Sequence, residues 1–268
     1  MAAHLERLGV QAAPSDVVTS AQAAASVLAA QAPAGAPVLA VGGEGLVQAL
    51  RAVGLQPVAP PSAEASPQER AAAEAVLAVA QGFTPALDWS MLVEACAAVR
   101  RGIPWVASNT DLSIPTERGV APGNGAFVEV VARTTGRQPQ QVAGKPFPPL
   151  MRESVERTGG RSPLVVGDRL DTDVAGAVGV GLPSLLVLTG VTDLAGLLAA
   201  GADERPTFLG DDLSALHRPH AAVVAGGGGW QCGEARVREV DGEPGRRRAR
   251  WRPARARAGR GVGSVGAG

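Results

Sequence analysis

The sequence has 268 residues, 46% of them hydrophobic, and a formal net charge of zero, so it holds enough apolar material for a buried core. No segment approaches the run of about 18 apolar residues that a membrane span needs, and no membrane partner is expected. The two cysteines, Cys96 and Cys232, belong to no zinc-binding pattern, which favours a reducing, cytoplasmic setting without a structural zinc site.

The zero net charge conceals an asymmetry along the chain. Residues 1–245 carry 17 basic and 25 acidic residues, a net charge of −8, whereas eight arginines fall between Arg246 and Arg260. The segment from about residue 223 is rich in Gly, Arg and Ala without periodicity, which predicts disorder. Clustered arginines can bind nucleic acid through its phosphates. No folded motif surrounds these arginines, so nucleic acid is not the favoured partner.

Helices and strands alternate along the predicted chain. The first half predicts a helix over 16–30, a strand over 38–41, a helix over 42–54, a strand over 55–59 and a loop over 60–70. A strand over 73–80, a helix over 87–102, a strand over 104–109 and a loop reaching residue 125 follow. The second half predicts a helix over 123–136, a strand over 141–143, a helix over 148–159, a strand over 162–167, a helix over 171–181 and a strand over 183–190. Strands that are continuously apolar indicate a parallel sheet covered by helices, an α/β fold.

Three carboxylates follow the predicted strand that ends at Gly167. Asp168 comes directly after this glycine, and Asp171 and Asp173 follow within five residues. In open α/β sheets ligands collect at the carboxyl ends of the strands, and Mg²⁺ prefers carboxylate oxygens together with water and phosphate. The alternative is that Asp171 and Asp173 cap the following helix, where acidic side chains suit the helix dipole, and that Asp168 only forms a turn.

Two other stretches place polar residues at the ends of predicted strands. Lys145, the single lysine of the chain, stands between a strand and a helix that begins with prolines, where it could neutralise a phosphate and a neighbouring carboxylate. Asn109 and Asp111 lie in the polar loop that joins the strand over 104–109 to a helix. The alternatives are an exposed loop charge for Lys145 and an ordinary turn region for Asn109 and Asp111.

These motifs, in this order, resemble those of the haloacid dehalogenase superfamily, and within it the phosphatases of the NagD, 4-nitrophenyl phosphatase and phosphoglycolate phosphatase kind. Gly144-Lys145-Pro146 resembles the Lys-Pro motif of the family, and the stretch GDRLDTD, 167–173, resembles its Gly-Asp-x-x-x-x-Asp motif. Residues 107–111 and 122–126 are similar to the family's ATN-x-D and PGNGA stretches. The resemblance covers about Leu5 to Leu216.

The resemblance implies a Rossmann-like core, a parallel sheet flanked by helices, whose N-terminal strands are missing from this chain. A mixed α/β cap domain is inserted into such a core. On this basis we expect a remnant of the core over residues 1–36, the cap over 37–142 and the second half of the core over 143–222. Residues 223–268 are expected to form the low-complexity tail.

The resemblance also implies a reaction, the Mg²⁺-dependent hydrolysis of a phosphate monoester of a small metabolite. In the family an aspartate attacks phosphorus, and water then releases the aspartyl-phosphate. Asp168 would be a metal ligand. Asp173 would bind the metal directly or through water, or orient the site. Lys145 would stabilise charge on the nucleophile and the phosphoryl group, and Asn109 and Asp111 are the substrate-binding candidates. Caps of this kind also suggest a homodimer.

The resemblance also implies two motifs that these residues lack, an Asp-x-Asp-Gly that carries the nucleophile and a Thr/Ser-Asn-Asn that binds the phosphate. No Asp-x-Asp-Gly occurs in the sequence, and the single Asp-x-Asp is Asp171-Thr172-Asp173. We therefore expect that this chain lacks the nucleophile, is truncated and is inactive as written. The alternative function is a non-catalytic regulatory protein that binds phosphate or metal.

Overall fold

A computed structural model describes residues 2–225, 229–232, 235–240 and 248–252. The chain divides into two compact units, residues 1–213 and residues 214–268. Each unit is described by itself.

The first unit alternates helices and strands, as the sequence predicts. Its helices are α1 (Ala2–Arg7), α2 (Ser20–Ala29), α3 (Glu44–Ala52), α4 (Pro67–Glu74), α5 (Trp89–Arg100), α6 (Asn124–Thr135), α7 (Pro148–Thr158), α8 (Ala175–Gly179) and α9 (Leu194–Ala199). Its strands are β1 (Pro37–Val41), β2 (Gln56–Val58), β3 (Ala78–Gln81), β4 (Trp105–Ala107), β5 (Ser113–Thr116), β6 (Gly119–Pro122), β7 (Gln141–Val142), β8 (Val165–Gly167), β9 (Ser184–Val187) and β10 (Phe208–Gly210).

Five parallel strands form the larger sheet, in the order β2-β1-β3-β4-β7. Successive side chains of a strand point to opposite faces of its sheet. In β1, Val38 and Ala40 pack with α2 and α3, whereas Leu39 and Val41 pack with α5 and α6. Helices therefore cover both faces, which explains why the strands are continuously apolar and confirms the α/β class.

The smaller sheet of this unit is also parallel and has the order β10-β9-β8. Its central strand β9 is fully buried, with Leu185 and Leu186 at 1% and 0% exposure. Strand β8 ends at Gly167, so the loop that begins with Asp168 leaves the carboxyl end of this sheet.

Residues 60–70 are not entirely a loop, because helix α4 begins at Pro67. The side chain of Ser66 accepts a hydrogen bond from the Glu69 N–H (3.3 Å), and the Glu69 carboxylate accepts one from the Ser66 N–H (2.8 Å). This reciprocal pair is a capping box, and Pro67 at the first helical position also favours a helix start here. The strand expected over 73–80 consequently shortens to β3, which begins at Ala78.

Residues 110–125 also contain regular structure that the sequence analysis missed. Strands β5 and β6 form an antiparallel hairpin in which Ser113 pairs with Pro122 and Thr116 pairs with Gly119. The Thr116 hydroxyl donates a hydrogen bond to the carbonyl of Gly119 (2.7 Å) and closes the turn. Each strand contains a proline, a residue that argues against a strand assignment, so the sequence alone does not indicate the hairpin.

Helix α2 packs on the larger sheet, although the sequence analysis assigns residues 1–36 to the core. Ala24 and Leu28 are fully buried in one apolar cluster with Val38 and Ala40 of β1. A boundary at residue 36 therefore separates this helix from the sheet on which it packs. The division of the chain into cap and core stays a prediction.

The second unit contains an antiparallel sheet of the strands β11 (Val223–Ala225), β12 (Gly229–Cys232), β13 (Ala235–Val240) and β14 (Arg248–Arg252), in this order. The sequence analysis expects no regular structure there. The alternation of apolar and charged residues in ARVREV, 235–240, is the strand signal that it passed over. Residues 226–228, 233–234, 241–247 and 253–268, with five of the eight clustered arginines, lie outside the described part of the chain.

Across the residues that the structure describes, no helix combines the length and the apolar character needed to cross a bilayer.

Candidate functional site

The predicted site residues follow the carboxyl ends of three strands in the first unit. Asn109 comes two residues after the end of β4, and Lys145 comes three residues after the end of β7, the neighbour of β4 in the larger sheet. Asp168 follows β8 of the smaller sheet. The strand ends thus supply the polar side chains, as expected for an open α/β sheet.

Lys145 and Asp173 join the two loops that follow β7 and β8. The Lys145 Nζ atom lies 2.6 Å from Oδ1 of Asp173, and the side chains are 43% and 8% exposed. The other oxygen of Asp173, Oδ2, accepts a hydrogen bond from the Arg169 N–H (3.2 Å). Gly167 makes room for this arrangement, because a Cβ atom there would overlap the Asp173 carboxylate.

The chain between Asp168 and α8 forms a π-helical turn, Leu170–Val174. The N–H of Val174 bonds to the carbonyl of Arg169 (3.1 Å), five residues earlier. Such turns occur often at functional sites. Asp173, on this turn, both accepts from the backbone before the helix and reaches Lys145. One side chain therefore both bonds to the backbone at the start of the turn and pairs with the lysine.

Asp168 is held by the loop that follows β9. Its Oδ2 atom accepts a hydrogen bond from the Val191 N–H (2.8 Å), and its carbonyl accepts one from the Thr192 N–H (3.1 Å). A Cβ atom at Gly190 would overlap the carboxylate of Asp168, so this position needs glycine. The sequence analysis missed Gly190, for which the glycine that follows an apolar strand was the available signal.

Arg169 is a second residue that the sequence analysis did not single out. Its Nε and Nη2 atoms donate to both carboxylate oxygens of Asp171, at 3.0 and 2.6 Å. This hydrogen-bonded ion pair lowers the pKa of Asp171 below its ordinary value. The pKa of Arg169 is raised, mainly by Asp171 and to a smaller extent by the charges of Asp111 and Asp168.

A cavity of about 690 Å³ brings most of these side chains together. Its lining includes Asn109, Asp111, Lys145, Arg169 and Asp171, together with three residues of β5. Two other predicted residues, at positions 168 and 173, are not among its lining residues. The structure therefore brings the lysine and the two substrate-binding candidates to one cavity, next to the two aspartates assigned to the metal.

The loop that carries Asn109 and Asp111 is fixed by local hydrogen bonds. The Oδ1 atom of Asn109 accepts from the Asp111 N–H (3.2 Å), and its carbonyl accepts from Nδ2 of Asn124 (2.7 Å), the first residue of α6. A Cβ atom at Gly125 would overlap the carbonyl of Thr110. The glycines of the PGNGA stretch thus allow α6 to begin directly against this loop.

Few side chains at this site are placed to act as ligands of a metal ion. Within the described residues, no group of three or more His, Cys, Asp or Glu side chains is arranged to hold one. The hydrogen bonds of Asp168 use Oδ2, which leaves Oδ1 for a ligand, whereas both oxygens of Asp173 are hydrogen-bonded. Mg²⁺ is often held by one or two carboxylates with waters and a substrate phosphate, and Asp168 fits this requirement.

Two family models match the chain. The model described as haloacid dehalogenase-like hydrolase matches residues 1–56, and the model described as HAD-hydrolase-like matches residues 142–216. The second match contains Lys145, Asp168 and Asp173.

Named relatives align with most of the chain. It is 48% identical over 232 residues to a D-glycerol 3-phosphate phosphatase of Mycobacterium tuberculosis, which covers 86% of this chain. The chain spans 62% of the length of that relative. It is 35% identical over 212 residues to an acid sugar phosphatase of Staphylococcus haemolyticus, covering 78% of this chain and 74% of the relative.

Solved structures share the fold. The glycerol phosphate phosphatase of M. tuberculosis in complex with magnesium superimposes with a TM-score of 0.73 at 46% identity, covering 86% of this chain and 70% of that one. A p-nitrophenyl phosphatase from Archaeoglobus fulgidus gives a TM-score of 0.69 at 29% identity, covering 80% and 78%.

Proposed function

Because this chain belongs to the haloacid dehalogenase-like hydrolases, we propose that it serves in the hydrolysis of a phosphate monoester of a small metabolite. The observation that carries the proposal is the ion pair between Lys145 and Asp173, beside Asp168 and at the edge of the cavity. The phosphatases among its relatives support the same reaction class.

Lys145 is the residue that we assign to the phosphate. An ammonium group has three N–H donors, and Asp173 accepts one of them. The side chain is 43% exposed and lines the cavity, so the other donors are accessible to a phosphoryl oxygen. Asp173 fixes the position of the ammonium group, which supports the orienting role among the three expected from the sequence: direct metal ligation, ligation through water, or orientation of the site.

Asp168 is the residue that we assign to Mg²⁺. Its carboxylate is oriented through Oδ2 by the Val191 N–H, and Oδ1 is the oxygen left for a cation. When bound, Mg²⁺ supplies a positive charge that polarises a phosphoryl oxygen. The role of Asp168 is then to hold the cation beside the phosphate that Lys145 binds.

No residue of this chain is assigned to nucleophilic attack. The sequence contains no Asp-x-Asp-Gly, and its single Asp-x-Asp is engaged with Arg169 and Lys145. The expectation that this chain lacks the nucleophile and is inactive as written stays a prediction.

The test separates binding from hydrolysis. Mg²⁺ and inorganic phosphate are titrated calorimetrically into the 268-residue chain, and release of phosphate from glycerol 3-phosphate is followed in parallel. We expect Mg²⁺ binding that Asp168→Asn abolishes and phosphate binding that Lys145→Met weakens. Asp203→Asn, in an exposed turn, is the matched control.

Each outcome has a distinct meaning. Binding without hydrolysis supports the assigned half of the site and the absence of the nucleophile, and it is also what the non-catalytic alternative predicts. Hydrolysis by this chain shows that the prediction about the nucleophile is wrong. Absence of both Mg²⁺ and phosphate binding overturns the proposal.

The homodimer through the predicted cap region is a further part of the proposal. Trp89 and Val93 lie one helical turn apart on α5 and are 80% and 38% exposed, an apolar pair that a second subunit could cover. Sedimentation velocity of the wild type and of Trp89→Ser tests it. A wild-type chain that sediments as a monomer contradicts it. The cytoplasmic location stays a prediction.

A further inference from the structure

Arg169 presents hydrogen-bond donors that its ion pair does not use. The Asp171 carboxylate accepts hydrogen bonds from Nε and Nη2, the two nitrogens on one edge of the guanidinium group. A guanidinium has five N–H donors in a fixed plane, so the donors of Nη1 remain. Because Arg169 and Asp171 both line the cavity, these donors are available to a ligand there.

Asp111 contributes a carboxylate to the same cavity from another part of the chain. It follows β4, and its N–H is bound to Asn109, which fixes the backbone from which the carboxylate projects. Asp111, Arg169 and Asp171 all line this cavity, so one ligand bound there can meet both carboxylate acceptors and guanidinium donors. The charge of Asp111 also contributes to the raised pKa of Arg169.

We propose that Asp111, Arg169 and Asp171 form a hydroxyl-binding subsite, which takes the polyol part of a phosphorylated substrate. A hydroxyl group both donates and accepts hydrogen bonds, so it can donate to a carboxylate and accept from the guanidinium. An alkyl or aryl group can do neither. This inference rests on the proposed function, because Lys145 must bind the phosphate of the same molecule.

The surrounding carboxylates disfavour a second phosphate as the ligand of Arg169. Asp171 already pairs with the guanidinium at 2.6 Å, and Asp111 lines the same cavity. A dianion bound to Arg169 would lie close to the Asp171 carboxylate, and like charges repel. Lys145 has one carboxylate partner, Asp173, and is the better phosphate ligand. Lys145 is therefore assigned to the phosphate, and Arg169 to the hydroxyl groups.

The experiment uses two ligands that differ in hydroxyl groups alone, sn-glycerol 3-phosphate and n-propyl phosphate. Their dissociation constants are measured by calorimetry in the presence of Mg²⁺ for the wild-type chain, Arg169→Met and Asp111→Asn. Arg118→Met is the matched control, because Arg118 lies in the exposed turn of the β5–β6 hairpin and does not line the cavity. Circular dichroism verifies the fold of each variant.

We expect the wild type to prefer glycerol 3-phosphate roughly tenfold, as two hydroxyl hydrogen bonds of modest strength would give. Arg169→Met should reduce the preference to about twofold or less through weaker glycerol 3-phosphate binding, since one donor group is lost. Asp111→Asn should reduce it in part. Binding of propyl phosphate should change little in any variant, and Arg118→Met should retain the full preference.

The other outcomes separate the subsite from the proposed function. A wild type without preference, or an Arg169→Met variant that loses both ligands equally, overturns the subsite while leaving the phosphate monoester function intact. A wild-type chain that binds neither ligand overturns the subsite and the proposed function together.

Discussion

Lys145 and Asp173 are 28 residues apart in the sequence, and their charged groups approach to 2.6 Å. Lys145 follows a strand of the larger sheet, whereas Asp173 lies beyond a strand of the smaller one. The ion pair therefore connects the loops of two sheets. The buried carboxylate has two partners, and the lysine keeps part of its surface exposed to a ligand.

Replacing Asp173 with Asn should destabilise the fold. The amide keeps the shape of the side chain but loses the charge and one of the two acceptor oxygens, so either Lys145 or the Arg169 N–H loses its partner. We expect the free energy of unfolding to fall by about 1–2 kcal/mol, a modest value because Lys145 remains partly hydrated. Urea denaturation measures the change.

Asp203→Asn provides the comparison for this variant, because Asp203 lies in an exposed turn. This substitution should alter the free energy of unfolding by less than about 0.5 kcal/mol. Equal stability of the two variants would show that the Lys145–Asp173 pair contributes nothing measurable.

The Arg169–Asp171 pair should make stability depend on pH at the acidic end. Its hydrogen bonds lower the pKa of Asp171 in the folded state, so the pair stabilises the fold above the ordinary aspartate pKa of about 3.9. This contribution is lost as the pH falls through the lowered value. The pair is half exposed, and about 0.5 kcal/mol is the expected size.

Asp171→Asn tests that dependence. The difference in melting temperature between this variant and the wild type should be constant from pH 7 to about pH 5, shrink as the pH falls below the ordinary aspartate pKa, and vanish once the pH lies below the lowered pKa of Asp171. A difference that persists at the lowest pH would assign the effect to packing rather than to charge.

The fold was predictable where one local pattern dominates. Continuous apolar strands such as β1 and β3 predict a parallel sheet because helices cover both of their faces. Helix α4 and the β5–β6 hairpin were missed because their prolines and serines are also typical of loops. In both segments the deciding contacts are short-range hydrogen bonds, which composition does not show.

The site was predictable as a set of residues but not as a set of contacts. Lys145 and Asp168 follow strand ends, which the sequence shows directly. Arg169 and Gly190 acquire their roles from neighbours that only the folded chain supplies, such as the Val191 N–H, 23 residues from Asp168. The hydrogen bonds that Asp173 accepts from Lys145 and from a backbone N–H are likewise visible only in the folded chain, and its assignment to the metal stays a prediction.

Ser66→Ala should weaken the start of α4. The variant removes the side-chain acceptor for the Glu69 N–H, one of the unpaired donors at the helix N-terminus. We expect a loss of about 1 kcal/mol in the free energy of unfolding, which corresponds to a decrease of about 2–4 °C in melting temperature for a chain of this size. Glu74→Gln, at the other end of the same helix, is the control. A melting temperature equal to that of the control would exclude a stabilising cap.

Gly190→Ala should impair the cation site more than the fold. The added methyl group would overlap the Asp168 carboxylate, which must rotate away and give up the hydrogen bond from the Val191 N–H. We expect Mg²⁺ affinity to fall at least about tenfold, because the cost of holding the carboxylate in position then opposes binding by more than about 1.4 kcal/mol. Calorimetric titration with Mg²⁺ measures this affinity. Gly201→Ala, where an added methyl group meets no atom within 4 Å, should bind Mg²⁺ like the wild type. Equal affinities of the two variants would show that Asp168 does not need the Gly190 loop to bind a cation.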